Sequence, residues 1–153
     1  ITTVTDADAL DLHKYRDSIA RSSWTIDVWP AESYSASPQA YTSTEWQERV
    51  RAGDYFDIRY GCLVASGIAN LLLAGRCISA EHLAQSSLRI QQTCMSTGQA
   101  AGTAAALSVR AGVSPRELDP STGVARLEAD RRNVQPAFDV LADLPTAPGN
   151  LGA

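Results

Sequence analysis

The chain has 153 residues, enough for one domain with a real core and too few for a complete two-domain enzyme of ordinary size. Its 44% hydrophobic and 20% charged residues make an ordinary globular balance, and a net charge of −4 excludes a basic nucleic-acid or anionic-membrane surface. No run approaches the roughly 18 apolar residues of a membrane span, and neither end reads as an export signal, so a cytoplasmic setting is the expectation.

In chain order, Ile1, Thr2, Thr3 and Val4 form a short β-prone opening. Thr5 or Asp6 then caps a helix, with Asp6, Asp8 and Asp11 suited to its positive end. The apolar Leu10 and Ile19 extend this reading to one helix or two short ones through about Arg21. Residues 24–29 alternate apolar with polar and predict a strand ending at Pro30, followed by a loop over 31–44. A turn at Gly53 and Asp54 precedes a β-like run over 55–60, which Cys62, Leu63 and Val64 continue after Gly61. Ser66 and Gly67 turn the chain again. The compact apolar run from Asn70 to Gly75 predicts a buried strand ending in glycine. From about Thr93 to Arg110 the sequence predicts a helix crowded with small residues, with Gly112 at its C-terminal cap and Pro115 just beyond. Ser114, Pro115 and Glu117 form a capping-box pattern, and a modest helix is expected around 124–131. The tail after Leu144 is expected to be disordered.

The informative stretch is the strand ending at Gly75, the polar connection after it, and the glycine-alanine helix. Gly98 and Gly102, with Ala101 and Ala105, make a small-residue stripe that permits close approach of a strand, a helix or a flat ring. Glycine inside a helix costs roughly 1 kcal/mol relative to alanine, so the approach must return more than that. Free N–H groups near the helix start, around Thr93 to Ser96, suit a carbonyl oxygen or an anion. Helix-on-sheet packing without any ligand accounts for this pattern equally well.

Three runs carry a more specific signal: NLLLAGRCISAEH (70–82), AQSSLR (84–89) and TCMSTGQAAGTAAAL (93–107). Together they resemble the C-terminal signature of a bacterial family of FAD-dependent oxidoreductases. SIAR (18–21), WTIDV (24–28), YFDI (55–58), CLV (62–64) and GVSPRELD (112–119) are similar to that family's cap-domain and flanking segments, so the resemblance covers roughly residues 1–130. The sequence departs from the family pattern at Trp29, Arg59, Gly61 and the Gln91–Gln92 pair, and it holds no GxGxxG after a strand.

The resemblance implies an α/β (or α+β) fold: cap-domain strands with a partial, incomplete Rossmann-like FAD-binding domain, namely its last strand and its glycine-alanine helix. Residues 1–66 correspond to the cap or substrate portion, 67–133 to the C-terminal part of the FAD domain, and 134–153 to a partly disordered tail. FAD is the implied cofactor and a small organic substrate the hydride donor. The missing N-terminal Rossmann half, on the same or a separate chain, is the implied partner, and neither nucleic acid nor membrane is expected. Gly75 and Arg76 are placed beside the ribityl or pyrophosphate portion, and Thr97, Gly98, Gln99 and Ala100 at the flavin's pyrimidine edge, where N–H groups favour negative charge. His82 is a candidate proton shuttle, or else a polar loop residue. Arg89 is a candidate for orienting an anionic substrate, or else pairs with Glu81 or a carbonyl.

The remaining residue types yield less. Cys62, Cys77 and Cys94 are widely spaced, odd in number and without a CxxC pair. With only His13 and His82 to join them, no metal site is expected, and they read as buried reduced thiols. Trp24, Trp29 and Trp46 read as cap packing. A hydrolase or lyase is disfavoured by the absence of a GxSxG elbow. The alternative to a C-terminal part of one enzyme is a non-catalytic module, or a subunit of a split flavoenzyme.

Overall fold

A computed structural model describes residues 1–28, 42–123 and 125–126. Its elements, in order, are α1 (Asp6–Leu10), β1 (Ser18–Ser22), α2 (Thr44–Arg51), β2 (Phe56–Arg59), α3 (His82–Leu88) and α4 (Gln91–Ala111). Among the described residues β1 and β2 form one antiparallel two-stranded sheet, so the architecture is α+β.

Helix α1 begins as its sequence predicts. Thr5 Oγ1 accepts from Asp8 N at 3.1 Å while Asp8 Oδ2 accepts from Thr5 N at 2.8 Å, a capping box built with aspartate. The helix does not run on toward Arg21. Leu12 is buried with φ 55, a left-handed backbone that costs a branched side chain about 1–2 kcal/mol and turns the chain back on itself. Residues 18–22 are consequently a strand rather than a helix, pairing Ala20 with Ile58, Arg21 with Asp57 and Ser22 with Phe56. An irregularity between Ser18 and Ala20 lets the consecutive Ile19 and Ala20 both reach the core.

Two further expectations are corrected in the first half. Residues 24–28 form no strand: their carbonyls are satisfied by side chains of α3, with Ser87 Oγ donating to Trp24 O at 2.6 Å and Arg89 Nη2 to Asp27 O at 3.2 Å. The alternation survives in burial at Ile26 and Val28, but Trp24 is 49% exposed, while Trp29, Pro30 and most of the expected loop lie outside the described residues. A helix the sequence did not announce, α2, starts at the Ser43 cap. It buries only Trp46, whose Nε1 donates to Ala9 O at 3.0 Å. Trp46 therefore packs as expected, and the turn at Gly53 (φ 96) follows α2.

β2 is followed not by more strand but by a 3₁₀ turn over Tyr60–Cys62, fixed by the Tyr60 hydroxyl donating to Pro115 O at 2.7 Å. The run after Asn70 is likewise not a buried strand. It makes a single antiparallel bridge, Val64 to Leu72, and with a neighbour on one edge only it leaves Leu71 39% exposed and Leu72 and Leu73 half-buried. The N-terminal strand-like segment bridges in parallel from Val4 to Ala80. Beside it two helix starts cap each other. Glu81 Oε2 accepts from Asp6 N at 2.7 Å, and Asp6 Oδ1 accepts from Ala84 N at 3.0 Å.

Helix α4 spans 21 residues and ends at Gly112, whose φ of 67 makes the left-handed cap the sequence predicts. Its buried side, Thr93, Thr97, Ala100, Ala104 and Ser108, follows helical spacing and lies against β1. The Ser114–Glu117 pattern closes a turn rather than a helix: Ser114 N and Oγ both donate to Glu117 Oε2, at 3.0 and 2.8 Å. Residues 120–123 are helical. Most of the helix expected at 124–131, and the tail, lie outside the described residues. One buried cluster, including Val4, Leu12, Phe56, Ile58, Leu63, Leu88, Ala100 and Ala104, draws on both sides of residue 66.

Candidate functional site

The connection between the half-buried leucine run and α3 is a 3₁₀ turn over Gly75–Cys77. Gly75 has φ 63, so glycine is needed there for the backbone itself. Three hydrogen bonds hold the turn. Gly75 N donates to Thr97 Oγ1 at 3.0 Å, Gln85 Nε2 donates to Arg76 O at 3.1 Å, and Arg76 Nε donates to Arg89 O at 3.1 Å. The structure thus brings Gly75, Arg76, Arg89 and Thr97 together, and adds Gln85. Gln85 Oε1 is buried and without a hydrogen-bond partner. Gln85 stands in the AQSSLR run, but its spacing gives it no role of its own, because a polar residue on a short helix has no distinctive period.

Helix α4 starts two residues earlier than expected, at Gln91, and its cap residue Ile90 offers no side-chain acceptor. The amides ahead of the first intrahelical bond are those of Gln91, Gln92 and Thr93, since Cys94 N already donates to Ile90 O at 3.0 Å; Gln91 and Gln92 are exposed, whereas Thr93 is buried. Thr97, Gly98, Gln99 and Ala100 lie in the second and third turns, where each amide is paired four residues back. Thr97 and Ala100 face the core, whereas Gly98 and Gln99 are exposed. No Cβ placed at Gly98 or Gly102 meets an atom within 4 Å, so the close approach their stripe permits is not made among the described residues. That outward side also carries Met95, 70% exposed, and Val109, 82% exposed. No charged residue occurs between Gln91 and Val109.

The two candidate catalytic residues lie apart. His82 is the first residue of α3 and exposed, with no polar partner among the described residues. Arg89 caps the other end, about 10 Å along the axis by helical rise. Its Nη2 donates to Asp27 Oδ2 at 3.0 Å and its Nε to Ser86 O at 3.3 Å, so Asp27, and not Glu81, is its acidic partner.

Elsewhere, Asp8 gathers an ionic cluster. Tyr15 O–H donates to Asp8 Oδ1 at 2.5 Å and His13 Nδ1 lies 3.4 Å from the same oxygen, so His13 is exposed yet paired. Burial pushes the Asp8 carboxyl up, but hydrogen bonds from Tyr15 and Thr5, with His13 nearby, hold it below the ordinary carboxylate value. The Tyr15 phenol is raised, first by its bond to Asp8 and then by burial. The thiols are all free. Cys62 is buried, which raises its pKa, and Cys94 is half-buried, but Cys77 is exposed, contrary to the expectation of three buried thiols. Among the described residues no group of three His, Cys, Asp or Glu side chains is placed to hold a metal. No described helix is long and apolar enough to cross a membrane. A groove of about 530 Å³ at the far end of α4, lined by Leu107, Arg110, Val113, Leu118 and Thr122 among others, contains none of the candidate residues.

The site is thus a glycine turn braced by two helices, beside the uncapped start of a helix that carries no charge before Arg110, in an α+β chain. Residues 1–130 match the family model of FAD dependent oxidoreductases, and the chain belongs to that family. No curated protein and no solved structure matches it. Family membership implies FAD as the cofactor. The donor set fits: uncapped amides at the exposed Gln91 and Gln92, and no carboxylate on α4 to oppose an electron-rich ring.

Proposed function

We propose that this chain is the C-terminal part of a flavoenzyme that transfers hydride between a small organic substrate and FAD, and that it works with a Rossmann half carrying the pyrophosphate-binding glycines. The family match over residues 1–130 carries this reading. In it, 1–66 contribute the cap portion and 67–133 the closing part of an incomplete Rossmann-like FAD domain, sharing the one core described above. Gly75 and Arg76 lie beside the ribityl or pyrophosphate portion. The exposed, uncapped amides of Gln91 and Gln92 take the place of those of Thr97 to Ala100 at the pyrimidine edge, because the latter are paired within the helix. Gly98 and Gln99 leave the outward surface of α4 flat, and Ala100 contributes only by packing the helix onto β1. His82 exchanges protons with solvent, and Arg89 acts through Asp27 rather than on substrate. The flavin, when bound, supplies the hydride-accepting chemistry; the chain supplies orientation and electrostatics.

The half-exposed Leu71 and the uncharged outward side of α4 favour the need for a second half, whether fused or on its own chain as in a split enzyme. The test is an absorbance spectrum after gel filtration of the chain with FAD, alone and with the half encoded upstream. Flavin bands are expected only with both halves. Flavin retained by the chain alone overturns the need for a partner, and no flavin in either sample overturns the flavin reading.

A further inference from the structure

Thr97 is the residue through which α4 grips the glycine turn. Its side chain is fully buried. Its Oγ1 accepts from Gly75 N at 3.0 Å and shares its own proton between the carbonyls of Thr93 and Cys94, each at 3.0 Å, so its proton and one lone pair are committed inside the protein. From the opposite side, Gln85 of α3 holds Arg76 O at 3.1 Å, and Arg76 Nε is held by Arg89 O at 3.1 Å. Gly75 cannot take its left-handed φ of 63 by preference over its many other accessible conformations. The turn is fixed instead by side chains reaching it from two helices that both pack into the core.

We propose that Thr97 and Gln85 are positioning residues that set the Gly75–Arg76 turn before any cofactor arrives, acting on the cofactor only through the main chain they hold. This rests on the flavin reading for what the turn contacts, but not for how the turn is held. Thr97 then differs from a contact residue: its hydroxyl is spent inside the protein, and a substitution there reaches the ligand by loosening residues 74–78.

The experiment is amide hydrogen exchange resolved by NMR on the full chain without flavin, comparing Thr97→Val, Thr97→Ser and Gln85→Met with the parent. Valine keeps the shape and removes the acceptor, leaving Gly75 N–H unpaired; serine keeps the acceptor. The expected result for Thr97→Val is exchange about tenfold faster or more at Gly75, Cys77 and Ile78, the scale of one lost hydrogen bond. Amides of the β1–β2 ladder stay at parent rates, and Thr97→Ser returns the turn to within a few-fold of the parent. Gln85 is only partly buried, so Gln85→Met keeps the fold and is expected to speed the same turn amides, which secures the reading if the valine variant does not fold. Equal rates in the valine and serine variants, or ladder amides that accelerate as much as Gly75, overturn the proposal and leave Thr97 a core residue like its neighbours. So does a turn unmoved by Gln85→Met. Because the readout contains no flavin, its failure is separate from a failure of the flavin reading, which the absorbance experiment decides.

Discussion

Asp8 is the residue on which the N-terminal quarter of the chain converges. One carboxylate caps α1 through Thr5 N, anchors the Tyr15 hydroxyl and lies beside His13. Because its pKa is held below the ordinary value of about 3.8, it contributes stability that is fully present above that value. That contribution is lost as pH falls through the lower folded-state pKa. Asp8→Asn removes the charge and leaves a carboxamide with one oxygen for two donors. The variant is expected to lose about 1 kcal/mol near neutral pH, and the acid-side fall in stability attributable to this group should vanish. Urea melts of both proteins from pH 7 down to 3 check this; parallel pH curves would remove Asp8 from the account. Gly75 poses a different residue-scale problem. A Cβ there would lie 3.7 Å from Cys94 Cβ, an ordinary contact, so space is not what forbids a side chain. The positive φ is. Gly75→Ala is expected to cost about 1 kcal/mol in chemical denaturation, from backbone strain alone. A cost near zero would mean the turn relaxes to another conformation.

At the scale of elements, α4 separates two demands on one helix. Its buried side needs small residues to lie close to β1, whereas Gly98 and Gly102 face open space. Replacing either by alanine adds helix propensity without a clash, so each variant is expected to be more stable than the parent by up to about 1 kcal/mol. If the flat surface serves a second half or the flavin, the same variants retain less flavin when the two halves are combined. Stability rising while flavin retention falls is the signature of that role; both rising together would assign the glycines no function. Elements were unequally legible in the sequence for identifiable reasons. The 21-residue extent of α4 and its Gly112 cap depend on local signals, namely small helix-compatible residues and a left-handed stop. β1 does not: SIARS has weak local preference, and it is a strand because β2 pairs with it and Leu12 ends α1 early. α2 escaped because TEWQERVR buries a single residue and so carries almost no periodicity. Segment 24–28 misled because its alternation is real in burial while its hydrogen bonds go to α3 side chains instead of a ladder. Around the candidate site, glycine at 75 reads from sequence as the end of a buried strand, and the structure makes it the left-handed residue of a turn instead. Gln85 and Asp27 stand within the AQSSLR and WTIDV runs, but their contacts to Arg76 and Arg89 cross the chain and leave no mark on spacing.

For the whole molecule the question is what the exposed apolar side chains are for. Met95 and Val109 stand about four turns apart on α4, both largely exposed, and Leu71 and Ile68 are open on the leucine segment. Such residues scattered singly need no explanation, but a helix without charge from Gln91 to Val109 and a leucine segment bridged along one edge among the described residues do. The second half of the proposed reading would cover such features. Val109 is the cleanest probe: at 82% exposure it supports little among the described residues, so Val109→Glu is expected to leave thermal stability within about 0.5 kcal/mol of the parent. Set against a partner, the same glutamate would place an unpaired charge in an apolar interface, costing several kcal/mol. Combining the variant with the upstream-encoded half should therefore give no complex on gel filtration and no flavin bands, while Val109→Ala, which only removes apolar area, should weaken assembly without abolishing it. A glutamate variant that assembles and holds flavin as the parent does would show that this side of α4 faces water in the assembly, and would remove it from the proposed interface.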